Sequence, residues 1–232
     1  MSTIRSTTDS SPGQGISSGL EHRISVEIGI ILTLTVTLFL ILDPFASLPM
    51  FINITKGLDG KTVRSYANKA IVVAAILLYV FLFIGNGLMD LFGVTMDSFR
   101  VAGGIIFLMM AIELVFGLSL SKMDDENGAK WAIIASPILT GPGVIVTTIL
   151  YSDQYGVTSV IIAGTLALLL TWAILRCSSF VMRYVGEQAL GIVTKIIGLF
   201  IAAMGVESIF SGSLGWFQAN MADVIMMASA FV

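Results

Sequence analysis

The chain has 232 residues, 56% of them hydrophobic and 12% charged, with a mean hydropathy of +0.95 and a formal charge of −3. A soluble domain carries roughly 25% charged residues, so the composition predicts an integral membrane protein in contact with lipid, with no nucleic-acid partner. A single cysteine, Cys177, excludes an internal disulfide and a cysteine metal cluster, and a single histidine, His22, excludes a multi-histidine metal site.

In chain order, residues 1–22 are rich in Ser, Thr and Gly and lack the apolar core of a secretory signal. They read as a disordered tail. Apolar runs near 20 residues, the length that crosses a ~30 Å hydrocarbon core, then place helices at about 26–52, 66–89 and 98–120, which form a first unit over 23–120. Residues 121–130 read as a linker. A second unit over 131–213 holds helices at about 131–151, 157–183 and 190–213, and residues 214–232 read as an interfacial segment. The short alternating segments of a β-barrel do not appear.

The prolines are the sharpest signal. Outside the tail they fall in two motifs, Pro44-Phe45-Ala46-Ser47-Leu48-Pro49 and Pro137-Ile138-Leu139-Thr140-Gly141-Pro142. Both read P-x4-P, and they lie 93 residues apart (44 to 137, 49 to 142). Proline removes a backbone donor and clashes with the preceding turn, so each motif predicts a broken helix. Within a bilayer, broken backbone persists only where protein buries it or a wet cavity solvates it. Paired breaks in two halves point to the site of a repeat-built transporter.

The halves match elsewhere. Glu113-Leu114-Val115-Phe116 mirrors Glu207-Ser208-Ile209-Phe210 at an offset of 94 (113 to 207), and Gly104 and Ala111 pair with Gly198 and Gly205 at the same offset. Three spans per half force the second half to enter from the opposite side. The predicted fold is therefore all-α, with six transmembrane helices in two inverted three-helix repeats and spans 1 and 4 discontinuous. Lys56, Lys61, Arg64, Lys69, Lys122, Lys130, Arg176, Arg183 and Lys195 fall on one side, against Arg5, Arg23 and Arg100 on the other. That bias predicts both termini outside.

Asp43 precedes the first break after a long apolar run. An intramembrane carboxylate marks an ion or substrate path by default, although Asp before Pro is also a helix cap. Ser47 and Thr140 stand at the same place in the two motifs, and Ser136, Thr147 and Thr148 add hydroxyls. These hydroxyls can equally bond their own backbone. Gly141 and Gly143 flank Pro142 and free backbone groups for a small zwitterion. The expected substrate-binding set is Asp43, Ser47, Ser136, Thr140, Gly141 and Gly143, and the coupling carboxylates are Asp43, Glu113 and Glu207. Arg100 reads as a membrane-edge anchor or a partner for a substrate carboxylate. Gly191, Gly198, Gly205 and Gly212 recur every seven residues, a face for close helix approach. No P-loop, nucleophile elbow or second membrane aspartate is present, so no enzyme and no ATP coupling are expected.

Leu42-Asp43-Pro44-Phe45 through Leu48-Pro49, Phe99-Arg100-Val101-Ala102-Gly103-Gly104-Ile105 and Thr140-Gly141-Pro142-Gly143 resemble, in order and spacing, the motifs of the MarC/SnatA family of six-span membrane proteins. The family often has Gly-Asn where this chain has Ala46-Ser47. The resemblance implies a secondary transporter in a prokaryotic plasma membrane, moving small neutral amino acids such as glycine and alanine. It also implies no cofactor beyond a coupling H+ or Na+, and it leaves a homo-oligomer open. A passive channel or exporter for another small solute, and a non-transporting membrane scaffold, are the other readings.

Overall fold

The structure, a computed structural model, describes residues 12–55, 57–117 and 141–230. Seven helices account for nearly all of them: α1 (Pro12–Leu42), α2 (Pro44–Thr55), α3 (Gly60–Phe92), α4 (Met96–Phe116), α5 (Pro142–Tyr155), α6 (Val157–Arg176) and α7 (Ser178–Ala230). Among the described residues five stretches are long and apolar enough to cross a bilayer: Ser25–Ile52, Gly60–Phe92, Met96–Phe116, Val157–Arg176 and Phe180–Met221. Much of the expected fourth span, 131–140, lies outside the described residues, and α5 is its described part.

Local chemistry sets the helix ends. Asp59 caps α3, its carboxylate accepting the Lys61 and Thr62 amides. Gly93, at φ 63°, closes α3 in the left-handed conformation that glycine adopts without strain. Thr95 caps α4 through the Ser98 amide.

Three boundaries differ from expectation. The first helix begins at Pro12, so residues 12–22 carry helical backbone where a disordered tail was expected. Proline suits a first helical position, where an amide would have no partner. Residues 214–230 continue α7 and form no separate segment, since neither glycine nor proline interrupts the chain after Gly215. The fifth span stops at Arg176, and Ser178–Val185 is a helical stretch bent from the rest of α7 at Gly186, whose φ of 77° is non-helical.

Small residues set the packing. α3 buries Ala67, Ala70, Ala74, Leu78 and Leu82 on one stripe, and α6 offers Ala163, Gly164 and Ala167 in return. A Cβ on Gly164 would stand 3.2 Å from Leu78 Cδ2. The Trp172 indole donates to the Asn68 side chain at 2.8 Å, and the Tyr79 and Thr165 hydroxyls meet at 2.7 Å. As α3 advances its partners on α6 recede, so the two helices are antiparallel. Lys61, Arg64 and Lys69 on α3 thereby share one end of the bundle with Arg176, which stacks on Trp172 at 5.0 Å.

α4 and α7 are also antiparallel. Gly212 packs on Asp97 and Arg100, Gly205 on Gly104, and Gly198 on Ala111 and Leu114. The glycines allow backbones to approach as membrane helices do without a hydrophobic driving force. Outward-facing Leu32, Ile76, Phe83, Leu169 and Leu199 are exposed, as a lipid-contacting surface requires.

Candidate functional site

The first break is at Asp43. It is the single non-glycine residue with positive φ, 37°, among those described, and aspartate is one of the few residues to enter this region with modest strain. Pro44 then starts α2, where its missing donor costs nothing. The Ala46 amide donates to Asp43 Oδ1 at 3.1 Å, so the carboxylate caps α2. Asp43 is 7% exposed, and its second oxygen, Oδ2, is buried without a hydrogen-bond partner.

One expectation for this motif needs correction. Pro49 does not break the helix; it lies inside α2, which runs on to Thr55. Its ring removes one amide, the partner of the Phe45 carbonyl, and the flanking turns hold. Ser47 is engaged locally. Its hydroxyl donates to the Asp43 carbonyl at 3.1 Å beside its own amide at 3.3 Å, the local backbone bond that serine favours.

At the second motif, Gly141 occupies the N-cap of α5 in extended conformation and Pro142 its first turn. The Val144 amide donates to the Gly141 carbonyl at 3.1 Å. Gly143 has a packing reason to lack a side chain: a Cβ there would lie 2.5 Å from Met110 Sδ and 3.2 Å from Ile41 Cγ2. That contact places the start of α5 two residues from Asp43. Ser136, Pro137 and Thr140 lie outside the described residues.

A cavity of about 670 Å³ opens between α1, α4, α5 and α7. Thr37 and Leu40 line it from α1, and the Leu40 carbonyl accepts the Asp43 amide at 3.2 Å. The cavity wall thus lies one helical turn from the break. Arg100, Tyr151, Gln154, Glu207, Ser208 and Ser211 supply polar groups. Thr147 lines it too, with its hydroxyl donating to the Gly143 carbonyl at 2.8 Å. Arg100 faces Asp97 at 3.6 Å and Asp153 at 3.7 Å. Thr148, also expected to contribute, is fully buried with its hydroxyl unpartnered.

The structure therefore gathers part of the expected set. Asp43, Gly141 and Gly143 meet where α1 ends and α5 begins, and Glu207 lines the cavity. Glu113, half-buried near the end of α4, does not line the cavity. Tyr151, Gln154 and the Arg100–Asp153 pair were not singled out as a group. Their signal was polar residues at the ends of apolar spans, which also describes ordinary interfacial residues.

Helices long enough to span a bilayer, interrupted beside a polar cavity, define an all-α integral membrane protein. Residues 28–217 match the MarC family integral membrane proteins, and the chain belongs to that family. It is 30% identical over 193 residues to the UPF0056 membrane protein YhcE of Escherichia coli K12, covering 78% of this chain and 90% of that protein. It is 30% identical over 191 residues to the UPF0056 membrane protein MJ1677 of Methanocaldococcus jannaschii, covering 77% and 93%. A UPF0056 membrane protein of Buchnera aphidicola is 28% identical over 210 residues, 85% of this chain and 98% of its own length. No solved structure matches the chain.

Proposed function

We propose that this protein is a secondary transporter of small neutral amino acids such as glycine and alanine, driven by a proton or sodium gradient and without catalytic activity. The observation that carries the reading is Asp43, a buried carboxylate with one unpartnered oxygen at a helix break, one turn from a polar cavity. An intramembrane carboxylate with a free oxygen suits a cation or proton that comes and goes. α1 ends immediately before it, and the C-terminal dipole of a half-helix adds to its attraction for a cation. The small residues around both breaks favour a small cargo. The plasma membrane of a prokaryote is the proposed location, with both termini outside on the strength of the basic bias.

Uptake of radiolabelled glycine and alanine into proteoliposomes, under imposed proton or sodium gradients, tests the reading. Accumulation abolished by collapse of one gradient supports it and names the ion. Equilibration without accumulation indicates a passive channel, and absence of flux removes the substrate assignment.

A further inference from the structure

The cavity between α1, α4, α5 and α7 carries one cation and one carboxylate on facing helices. Arg100 projects from the beginning of α4 and Glu207 from α7. Gly212 brings the two backbones together here, since a Cβ on it would stand 2.9 Å from Arg100 Cβ. Glu207 lies five residues earlier on α7, about 7.5 Å along the helix axis.

The two charges are differently engaged. Arg100 has Asp97 and Asp153 at 3.6 and 3.7 Å, well beyond the ~2.7–2.9 Å of a charge-assisted hydrogen bond. Those carboxylates neutralise the guanidinium without saturating its donors. Asp153 sits in the last turn of α5, so its pair with Arg100 ties α4 to α5 at the cavity. Among the described residues no ion pair or hydrogen bond holds Glu207. Hydroxyls of Thr37, Tyr151, Ser208 and Ser211 complete the polar lining.

We propose that the cavity binds a small zwitterion whose carboxylate takes Arg100 from Asp153 and whose ammonium is held by Glu207. A planar fork facing a carboxylate makes two parallel bonds, which the offset Asp153 does not. Asp153 is then an internal competitor for the ligand, and binding unties α4 from α5. The proposal rests on the transport reading in taking the ligand to be the cargo; the site itself follows from the residues. Asp97, Asp153 and Glu207 outnumber Arg100, so a bare cation is the rival occupant, and a cation-only probe distinguishes it.

The test uses the full chain in lipid nanodiscs, with calorimetric titration of glycine, methylammonium and acetate. Glycine is expected to bind, and each half-molecule to bind at least about tenfold more weakly. Arg100→Gln is expected to weaken glycine by on the order of tenfold or more. Asp153→Asn is expected to tighten it by about two- to fivefold, the worth of an exposed ion pair, a gain that misfolding does not produce. No glycine binding, methylammonium binding as tightly as glycine, or Asp153→Asn binding no more tightly than the wild type overturns the proposal. Glycine uptake undiminished in Arg100→Gln removes this site and leaves the transport reading standing. Glycine binding with the Asp153→Asn gain, but without uptake by the wild type, does the reverse.

Discussion

Gly104 of α4 and Gly205 of α7 each lie against the other's carbonyl. A Cβ on Gly104 would stand 2.5 Å from the Gly205 oxygen, and one on Gly205 would stand 2.8 Å from the Gly104 oxygen. The sequence offset of 94 makes Gly104 equivalent to Gly198 and Ala111 equivalent to Gly205. Swapping equivalents turns the contact between Gly104 and Gly205 into one between Gly198 and Ala111. That contact is present, with a Gly198 Cβ falling 3.3 Å from the Ala111 oxygen. An interface in which i meets the equivalent of j, and j the equivalent of i, has the self-complementary form of a two-fold axis. The packings of the broken segments obey the same exchange, α2 lying on α6 and α7 as α5 lies on α3 and α4.

The first prediction concerns this contact. Gly104→Ala places a methyl group against backbone at 2.5 Å and the Ile209 side chain at 2.6 Å. Backbone cannot rotate away, so the variant is expected to lose about 1–3 kcal/mol. Gly87, with nothing within 4 Å of its would-be Cβ, is the control. Gly87→Ala is expected to be neutral or to gain up to ~1 kcal/mol in helix propensity. Thermal melting of both variants in one detergent reads the difference.

Asp43→Asn is expected to separate structure from function. Asparagine tolerates positive φ and caps helices as well as aspartate, so the bond from the Ala46 amide survives and the melting temperature stays near that of the wild type. The charge does not survive, and gradient-driven accumulation is expected to be lost. Retained accumulation would sink the assignment of Asp43 as the coupling carboxylate.

Pro49→Ala restores the amide that the Phe45 carbonyl lacks. Proline inside a helix costs ~3 kcal/mol, and the variant is expected to recover part of that as a higher melting temperature. If the weakened turn serves a moving half-helix, uptake slows in the same variant. Initial rates measured beside the melting curves show whether the two changes travel together.

Asp59, outside the spans, carries a pH dependence. Its hydrogen bond from the Thr62 hydroxyl, with those from the Thr62 and Lys61 amides, holds its carboxyl below the usual value of 3.8. A depressed folded-state value stabilises the first turn of α3 at any pH above the unfolded value, and the contribution is lost as pH falls through the folded one. Amide exchange at Thr62 to Arg64, corrected for intrinsic rates, is expected to keep constant protection from pH 5 to 8 and to lose it in more acidic solution. Asp59→Ala is expected to remove that dependence.

Much of this fold is local chemistry and was legible for that reason. Asp43-Pro44 carries cap, stop and start in two residues, and the seven-residue glycine spacing of α7 declared a face for close approach. Pro49 was misread because a proline's effect depends on whether neighbouring turns can absorb one lost bond, which its position does not reveal. Trp216 and Phe217 suit an interfacial segment as well as a continuing helix, and the chain continues as helix to Ala230. The cavity was least legible. Thr37, Arg100, Tyr151 and Glu207 come from four helices, and no spacing in the chain relates them.

The two-fold relationship carries Glu207 onto Glu113, but it carries Arg100 onto Thr194, a buried hydroxyl. The backbone repeats across the axis and the charge does not. A carboxylate thus stands on both sides of the axis and a guanidinium on only one. A chain built from two like halves thus has a built-in polarity: whatever meets its two sides meets unlike chemistry.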